Sequence, residues 1–256
     1  LSNITSGIEV KWSRTAGAGG YILYRKTPGG TYARIANIKH GNVTSYIDRT
    51  AKAGISYTYT VRAYSGTSMS GWRNPGTILR LADPTVQSAL NATGGTQIKW
   101  SRSAGAGGYI VYRRSKGGTW KRIAYINGQN VLSYTDKGAK AGVTYDYTVR
   151  AFKGSLLSDW HNYKTIRRLN NPTLRSVTSS RYGINIRWNK SPYATGYIIY
   201  RKTGKGSWTR IAKINNASAT GFTDTTAAKG VKYTYTIRSY SGSYLSYWNS
   251  VRSAVR

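Results

Sequence analysis

Gly20-Tyr21-Ile22-Leu23-Tyr24-Arg25, Gly108-Tyr109-Ile110-Val111-Tyr112-Arg113 and Gly196-Tyr197-Ile198-Ile199-Tyr200-Arg201 are three versions of one hexapeptide, each 88 residues from the next. The same offset relates Trp12, Trp100 and Trp188; Asp48, Asp136 and Asp224; Arg62, Arg150 and Arg238; and Trp72, Trp160 and Trp248. That period is longer than the ~20–50 residues of solenoid and propeller units and matches a whole small domain. The chain is therefore read as three tandem copies, 1–80, 81–168 and 169–256. Leu81-Ala82-Asp83-Pro84 and Leu169-Asn170-Asn171-Pro172 open the second and third, where proline halts the preceding strand. In this register Leu1 aligns with Ala89. The first copy is thus expected to lack its first strand, and the natural chain to continue upstream.

The hexapeptide alternates, and so do its neighbours. In copy two, Ile98 and Trp100 share one face of Gln97–Ser101, and Tyr145, Tyr147, Val149 and Ala151 share one face of Thr144–Phe152. Further strands are predicted at Thr85–Ser88, Gly108–Arg114, Trp120–Ile126, Ser133–Asp136 and roughly Asn162–Leu169. Period-2 patterning broken by Gly-rich turns every ~8–15 residues is the mark of an antiparallel sandwich. Composition agrees: 23 Tyr, 8 Trp and 29 Gly suit half-buried strands and tight turns. The predicted class is all-β.

Trp in the second strand, Gly-Tyr-x-x-Tyr-Arg in the third, and Gly-x-x-Tyr-x-Tyr-x-Val-Arg-Ala later resemble a fibronectin type III domain. They are most similar to the divergent repeats in secreted proteins of gut Gram-positive bacteria. The resemblance covers all three copies and implies three tandem fibronectin type III-like (immunoglobulin-like) antiparallel β-sandwiches, each a seven-stranded Greek key. It also implies tyrosine corners at Tyr57, Tyr145 and Tyr233, with the ring inward and the hydroxyl capping a backbone group. The usual Pro-Gly ahead of that Tyr is replaced by Ala53-Gly54, Ala141-Gly142 and Lys229-Gly230. Arg-Gly-Asp does not occur, so integrin adhesion of the animal kind has no support.

Charge narrows the partners. With 39 Lys and Arg against 7 Asp and Glu, the chain carries +32, enough to attract nucleic acid, anionic cell-wall polymers, acidic glycans or acidic membranes. The bland reading is a solvated surface with blunted strand edges. Residues 169–256 hold 14 basic side chains and one acidic, so that copy should hold a polyanion best. Without Cys, each copy must rely on an apolar core rather than disulfides. No run of 18 apolar residues spans a membrane. Asn-x-Ser/Thr tripeptides at Asn3, Asn42, Asn91 and Asn216 matter only in a source that glycosylates them.

Catalytic chemistry finds little to work with, and no catalytic, metal or cofactor site is expected. The two His occupy non-equivalent positions, and copy three has a single carboxylate, too few for a glycosidase pair. Asp48, Asp136 and Asp224 each follow a short strand, where the carboxylate should bond turn N–H groups.

Binding has better candidates. If Tyr21 and Leu23 face the core, Tyr24, Tyr112 and Tyr200 face out. With Arg25, Arg113 and Arg201, with Tyr32, Trp120 and Trp208, and with Arg34, Arg122 and Arg210, they would make an aromatic–basic sheet face. Such a face could stack on sugars or bases while Arg holds an anion; alternatively, Arg stacks on the rings within the protein. Trp72, Trp160 and Trp248, in the loop before the last strand, are either ligand platforms or plugs for one end of the sandwich.

The expected protein is a non-catalytic, extracellular or cell-surface region of a Gram-positive bacterium. It would be a monomeric rod of spacer and adhesion units, meeting an anionic polymer, a cell-wall or host glycan, or a host surface protein. The alternative is a carbohydrate- or polyanion-binding accessory module of a larger extracellular enzyme. Non-specific nucleic-acid binding follows from charge alone.

Overall fold

The computed structural model describes residues 1–248 and 251–256. Copy one runs β1 (Ser2–Ile4), β2 (Gly7–Lys11), β3 (Gly20–Lys26), β4 (Ala33–Ile38), β5 (Ser45–Asp48), β6 (Ser56–Ser65), β7 (Ser68–Met69) and β8 (Gly76–Leu79). Copy two repeats this as β9 (Val86–Ala92), β10 (Gly95–Trp100), β11 (Gly108–Ser115), β12 (Lys121–Asn127), β13 (Ser133–Asp136), β14 (Thr144–Lys153), β15 (Leu156–Leu157) and β16 (Lys164–Arg167). Copy three has β17 (Leu174–Ser180), β18 (Gly183–Trp188), β19 (Gly196–Thr203), β20 (Thr209–Ile214), β21 (Gly221–Asp224), β22 (Lys232–Ser241), β23 (Tyr244–Leu245) and β24 (Val251–Val255).

Each copy pairs two antiparallel sheets. In copy one the smaller has order β1-β2-β5, and the larger has order β4-β3-β6 with β7 and β8 both on the far side of β6. Copies two and three repeat these orders strand for strand. Copy one does possess a first strand, contrary to expectation. It is shortened to Ser2–Ile4, where copy two has seven residues, and pairs with β2. The last strand of copy two is shorter than predicted, Lys164–Arg167, because 161–163 form a loop.

Alternation builds the cores. Ile98 and Trp100 of β10 meet Tyr109 and Val111 of β11 and Tyr145, Tyr147 and Val149 of β14. Ile184, Trp188, Tyr197, Ile199 and Tyr235 do the same in copy three. The expected corner tyrosines are buried, and Tyr57, Tyr145 and Tyr233 accept the backbone N–H of Lys52, Lys140 and Ala228 through their hydroxyls. Glycine opens the hexapeptide for a steric reason: a Cβ at Gly108 would strike the Ile126 carbonyl and the Phe152 ring.

Buried asparagines tie first strands to the ends of their copies. Asn3 accepts from Leu81 N–H (3.0 Å) and Arg80 (3.3 Å) and donates to the Leu79 carbonyl. Asn91 repeats this with Leu169, Arg168 and Arg167. These two glycosylation tripeptides are therefore spent on packing, whereas Asn42 and Asn216 are exposed.

Successive copies meet through the same elements. Leu156 of β15 packs against the copy-one core cluster of Ile8, Val10 and Tyr57, and Tyr244 of β23 packs against the copy-two cluster. Thr5 donates its N–H to Asp159 Oδ2 (3.1 Å) and its hydroxyl to the Trp160 carbonyl (3.3 Å). Asn91 Nδ2 donates to the Leu245 carbonyl at 3.0 Å. At the second joint the Tyr193 ring lies against Gly142, 2.6 Å from where a Cβ would stand, and Gly142 has φ +82°. Only glycine serves there, on both counts.

Candidate functional site

The outer face of each larger sheet carries a column of stacked rings and cations. Its geometry follows from strand parity. Along β3, Tyr21, Leu23 and Arg25 point inward, so Ile22, Tyr24 and Lys26 point outward. Register places Tyr24 opposite Arg34 on β4 and opposite Thr60 on β6, with Arg62 one outward position further along β6. The loop after β7 then folds back over this face. Ser70 Oγ accepts Ala63 N–H at 3.0 Å and the Ser70 carbonyl accepts Arg62 Nε at 2.7 Å, which delivers Trp72 onto the sheet.

In copy one the column reads Lys26, Tyr32, Trp72, Arg62. Lys26 Nζ sits 4.9 Å from the Tyr32 centroid, Tyr32 stacks on Trp72 at 5.4 Å, and the Arg62 guanidinium lies 5.0 Å from Trp72. Tyr24 tilts against the Trp at 4.8 Å. Copy two has Arg114, Trp120, Trp160 and Arg150, with ring spacing 6.1 Å and cations at 4.4 and 4.8 Å. Copy three has Lys202, Trp208, Trp248 and Arg238, with corresponding distances of 5.1, 6.2 and 4.7 Å. Burial draws the Arg238 guanidinium down, partly offset by Tyr200.

The two features read separately in the sequence are thus one. Trp72, Trp160 and Trp248 do not plug an end of the sandwich. They lie on the sheet beside Tyr24, Tyr112 and Tyr200, and Trp72 stays 55% exposed. Arg62, Arg150 and Arg238 complete the column. The shared 88-residue spacing of this Arg and this Trp was the available signal, since a guanidinium and an indole are natural stacking partners. Because each of these Trp rings contacts both a cation and a second ring, the column's first effect is to hold the loop after β7 down. Arg62→Ala is expected to destabilise copy one by about 1–2 kcal/mol through lost stacking and lost stem packing, read by chemical denaturation.

Arg34, Arg122 and Arg210 lie on this face beside the tyrosines and are exposed. Arg25, Arg113 and Arg201 do not join it, because one step along the strand sends them to the inner side. There Arg25 pairs with Asp48 at 2.6 Å and stacks on Tyr57 at 4.7 Å. Asp48 also accepts the Tyr59 hydroxyl at 2.7 Å and, as the turn reading expected, Thr50 N–H at 3.0 Å. Arg113–Asp136–Tyr147 and Arg201–Asp224–Tyr235 repeat the arrangement. Burial, then Asp136's charge and hydrogen bond, push the Tyr147 hydroxyl far above its ordinary pKa.

Carboxylates are otherwise spoken for. Glu9 pairs with Lys11 and Asp146 with Arg114, while Asp83 and Asp159 accept backbone N–H groups. Among the described residues no three His, Cys, Asp or Glu side chains come together as a metal site, and no helix is long and apolar enough to cross a membrane.

Two packed sheets, a three-stranded one of order β1-β2-β5 and a larger one of order β4-β3-β6 closed by β7 and β8, together with the tyrosine corner, decide the architecture. Each copy has the fibronectin type III fold. No family model matches the chain. Exoglucanase B of Cellulomonas fimi is 27% identical over 252 residues, taking in 86% of this chain but 21% of that protein. An amylopullulanase of Thermoanaerobacterium saccharolyticum is 33% identical over 114 residues, or 44% of this chain and 8% of that protein. The chain thus spans only a minor part of each relative's length. Among solved structures, the FN1–FN3 domains of chicken CNTN1 match over all of this chain and 95% of that one, with 16% identity and a TM-score of 0.35. A two-domain fibronectin type III segment of chicken tenascin matches 69% of this chain and 99% of that one, with 17% identity and a TM-score of 0.35.

Proposed function

We propose that these three fibronectin type III copies are a non-catalytic spacer within a secreted bacterial enzyme that acts on polysaccharide. The supporting observation is the repeated joint: Leu156 against the core of copy one and Tyr244 against that of copy two. A spacer needs limited bending between units, and the partly buried side chains packed across each connection supply it. The partial matches to two enzymes named for glucan breakdown favour placing the reaction elsewhere in a longer chain.

Small-angle scattering on the purified chain tests the spacer. The expected result is one narrow, elongated distance distribution, which broadens when Leu156→Asp and Tyr244→Asp are combined. A compact particle, or one indifferent to both substitutions, would refute it.

A second reading has its own support. The few carboxylates are engaged within the protein, so most of the +32 charge faces solvent unopposed. The cationic surface would hold the module against an anionic polymer, with binding to a polyuronate falling steeply as salt rises.

A further inference from the structure

A cavity of about 250 Å³ opens beside the ring column of copy two, lined in part by Arg114, Trp120, Trp160, His161 and Tyr163. We propose that it is a binding site for a neutral hexopyranose unit of a glucan.

Three rings converge there. Trp120 stacks on Trp160, Tyr163 meets Trp120 edge-on at 6.2 Å, and Arg114 is wedged between them, 4.4 Å from Trp120 and 5.4 Å from Tyr163. Trp160 and Tyr163 remain 40% and 52% exposed, so the aromatic surface is open to a ligand. The guanidinium of Arg114 is bound to buried Asp146 at 2.9 Å, and Asp146 also accepts the Thr165 hydroxyl. Arg114 is thus neutralised and acts as a brace for the rings. An anion here would find the Arg114 charge already countered by Asp146. A pyranose suits the place better, because its C–H faces pack on aromatic surface while its hydroxyls meet the polar rim at exposed His161.

The loop that carries the site is pinned by hydrogen bonds of its own. Asn162 exchanges two hydrogen bonds with the Val86 backbone, Thr148 donates to the Asn162 carbonyl, and Asp159 caps the Trp160 N–H. Thr5 of copy one holds the Trp160 carbonyl from across the joint. Little ordering cost is left for binding. The site is peculiar to copy two: Arg73 and Pro75 stand at the positions of His161 and Tyr163 in copy one, and Val251 replaces Tyr163 in copy three.

The test is a titration of the whole chain with cellohexaose and, separately, maltohexaose, followed on the eight indole N–H resonances. Shifts are expected at Trp120 and Trp160 and not at Trp72 or Trp248, with affinity steady between about 0.05 and 0.5 M salt, a range over which ionic contacts weaken severalfold. Whichever oligosaccharide responds identifies a β- or an α-linked source. Tyr163→Ala should lower affinity about tenfold, the worth of one aromatic contact. Tyr182→Ala, at a 64% exposed tyrosine in copy three, should leave it unchanged. Silence at Trp120 and Trp160 with both sugars, a response only to polygalacturonate that salt abolishes, or a Tyr163→Ala variant with full affinity would each overturn the proposal. The spacer reading is judged by scattering, so failure here leaves it standing.

Discussion

Trp100→Ala is expected to destabilise copy two by about 4 kcal/mol, the range for truncating a large ring inside a packed core. Trp100 is 1% exposed, packs at 5.5 Å from Tyr109, and has Val86 of β9 opposite it in the sheet. The surrounding Ile98, Tyr109 and Tyr147 are themselves locked in sheet positions, so the site can collapse only in part. Two companions make the result diagnostic. Trp12→Ala in copy one should cost about half as much, since that ring is only half-buried. Trp100→Phe should cost roughly 1 kcal/mol, because it keeps most of the ring and removes an indole N–H that has no partner among the described residues. Urea denaturation, with each copy followed by its own amide resonances, reads all three. A loss below about 1 kcal/mol in Trp100→Ala would mean that the ring does not anchor the core.

Asp224→Asn should cost copy three about 2–3 kcal/mol and change how it responds to acid. Asp224 is 2% exposed and accepts from Arg201 (2.7 Å), Tyr235 (2.8 Å), Thr226 N–H (3.0 Å) and the Thr226 hydroxyl (2.7 Å). An amide keeps the volume but turns an NH₂ toward these donors and strips Arg201 of its counter-charge. Breaking a buried pair from one side costs about 3–5 kcal/mol, and the figure here is lower because Arg201 is partly solvated. Burial by itself would raise the Asp224 carboxyl. Bonds from Thr226, Tyr235 and Arg201 outweigh it and hold the group below the usual carboxylate range. Asp48 is depressed in the same way: burial raises it, and Tyr59, Thr50 and Arg25 prevail. A carboxyl with a lower pKa folded than unfolded stabilises fully above its unfolded value of about 3.9, and the contribution disappears as pH falls through the folded value. Stability of the native chain should therefore hold from neutrality to about pH 4–5 and decline below it. In Asp224→Asn the acid limb of copy three should flatten. An unchanged limb would show that this carboxylate is not the one protonated.

Parity made much of this architecture legible. Once Tyr21 and Leu23 are inward, Tyr24 must be outward, and an 88-residue offset carries the assignment to all three copies. Tyr57 and Asp48 were equally readable, since each acts on backbone a few residues away. Adjacency places Arg25 with its neighbour Tyr24, but the same parity sends it inward. Its partner Asp48 lies 23 positions along the chain in the other sheet, and spacing does not disclose that contact. Trp72 follows a hairpin whose fold-back depends on one hydroxyl, Ser70, meeting one amide, Ala63, which no local periodicity encodes. Tyr163 and His161 are passed over by any comparison between copies, because the other copies lack them.

The joint brings together the same two ends wherever it occurs, which makes the units interchangeable in series. Excision of residues 81–168 would set Leu169 after Arg80 and offer Tyr244 to Ile8 and Tyr57 in the place of Leu156. The carbonyl of Leu245 would face Asn3 as it now faces Asn91. The bonds from Thr5 to Asp159 would go, because Tyr247 occupies that position in copy three. An array of this kind changes its reach by gaining or losing whole repeats, without a new contact having to arise.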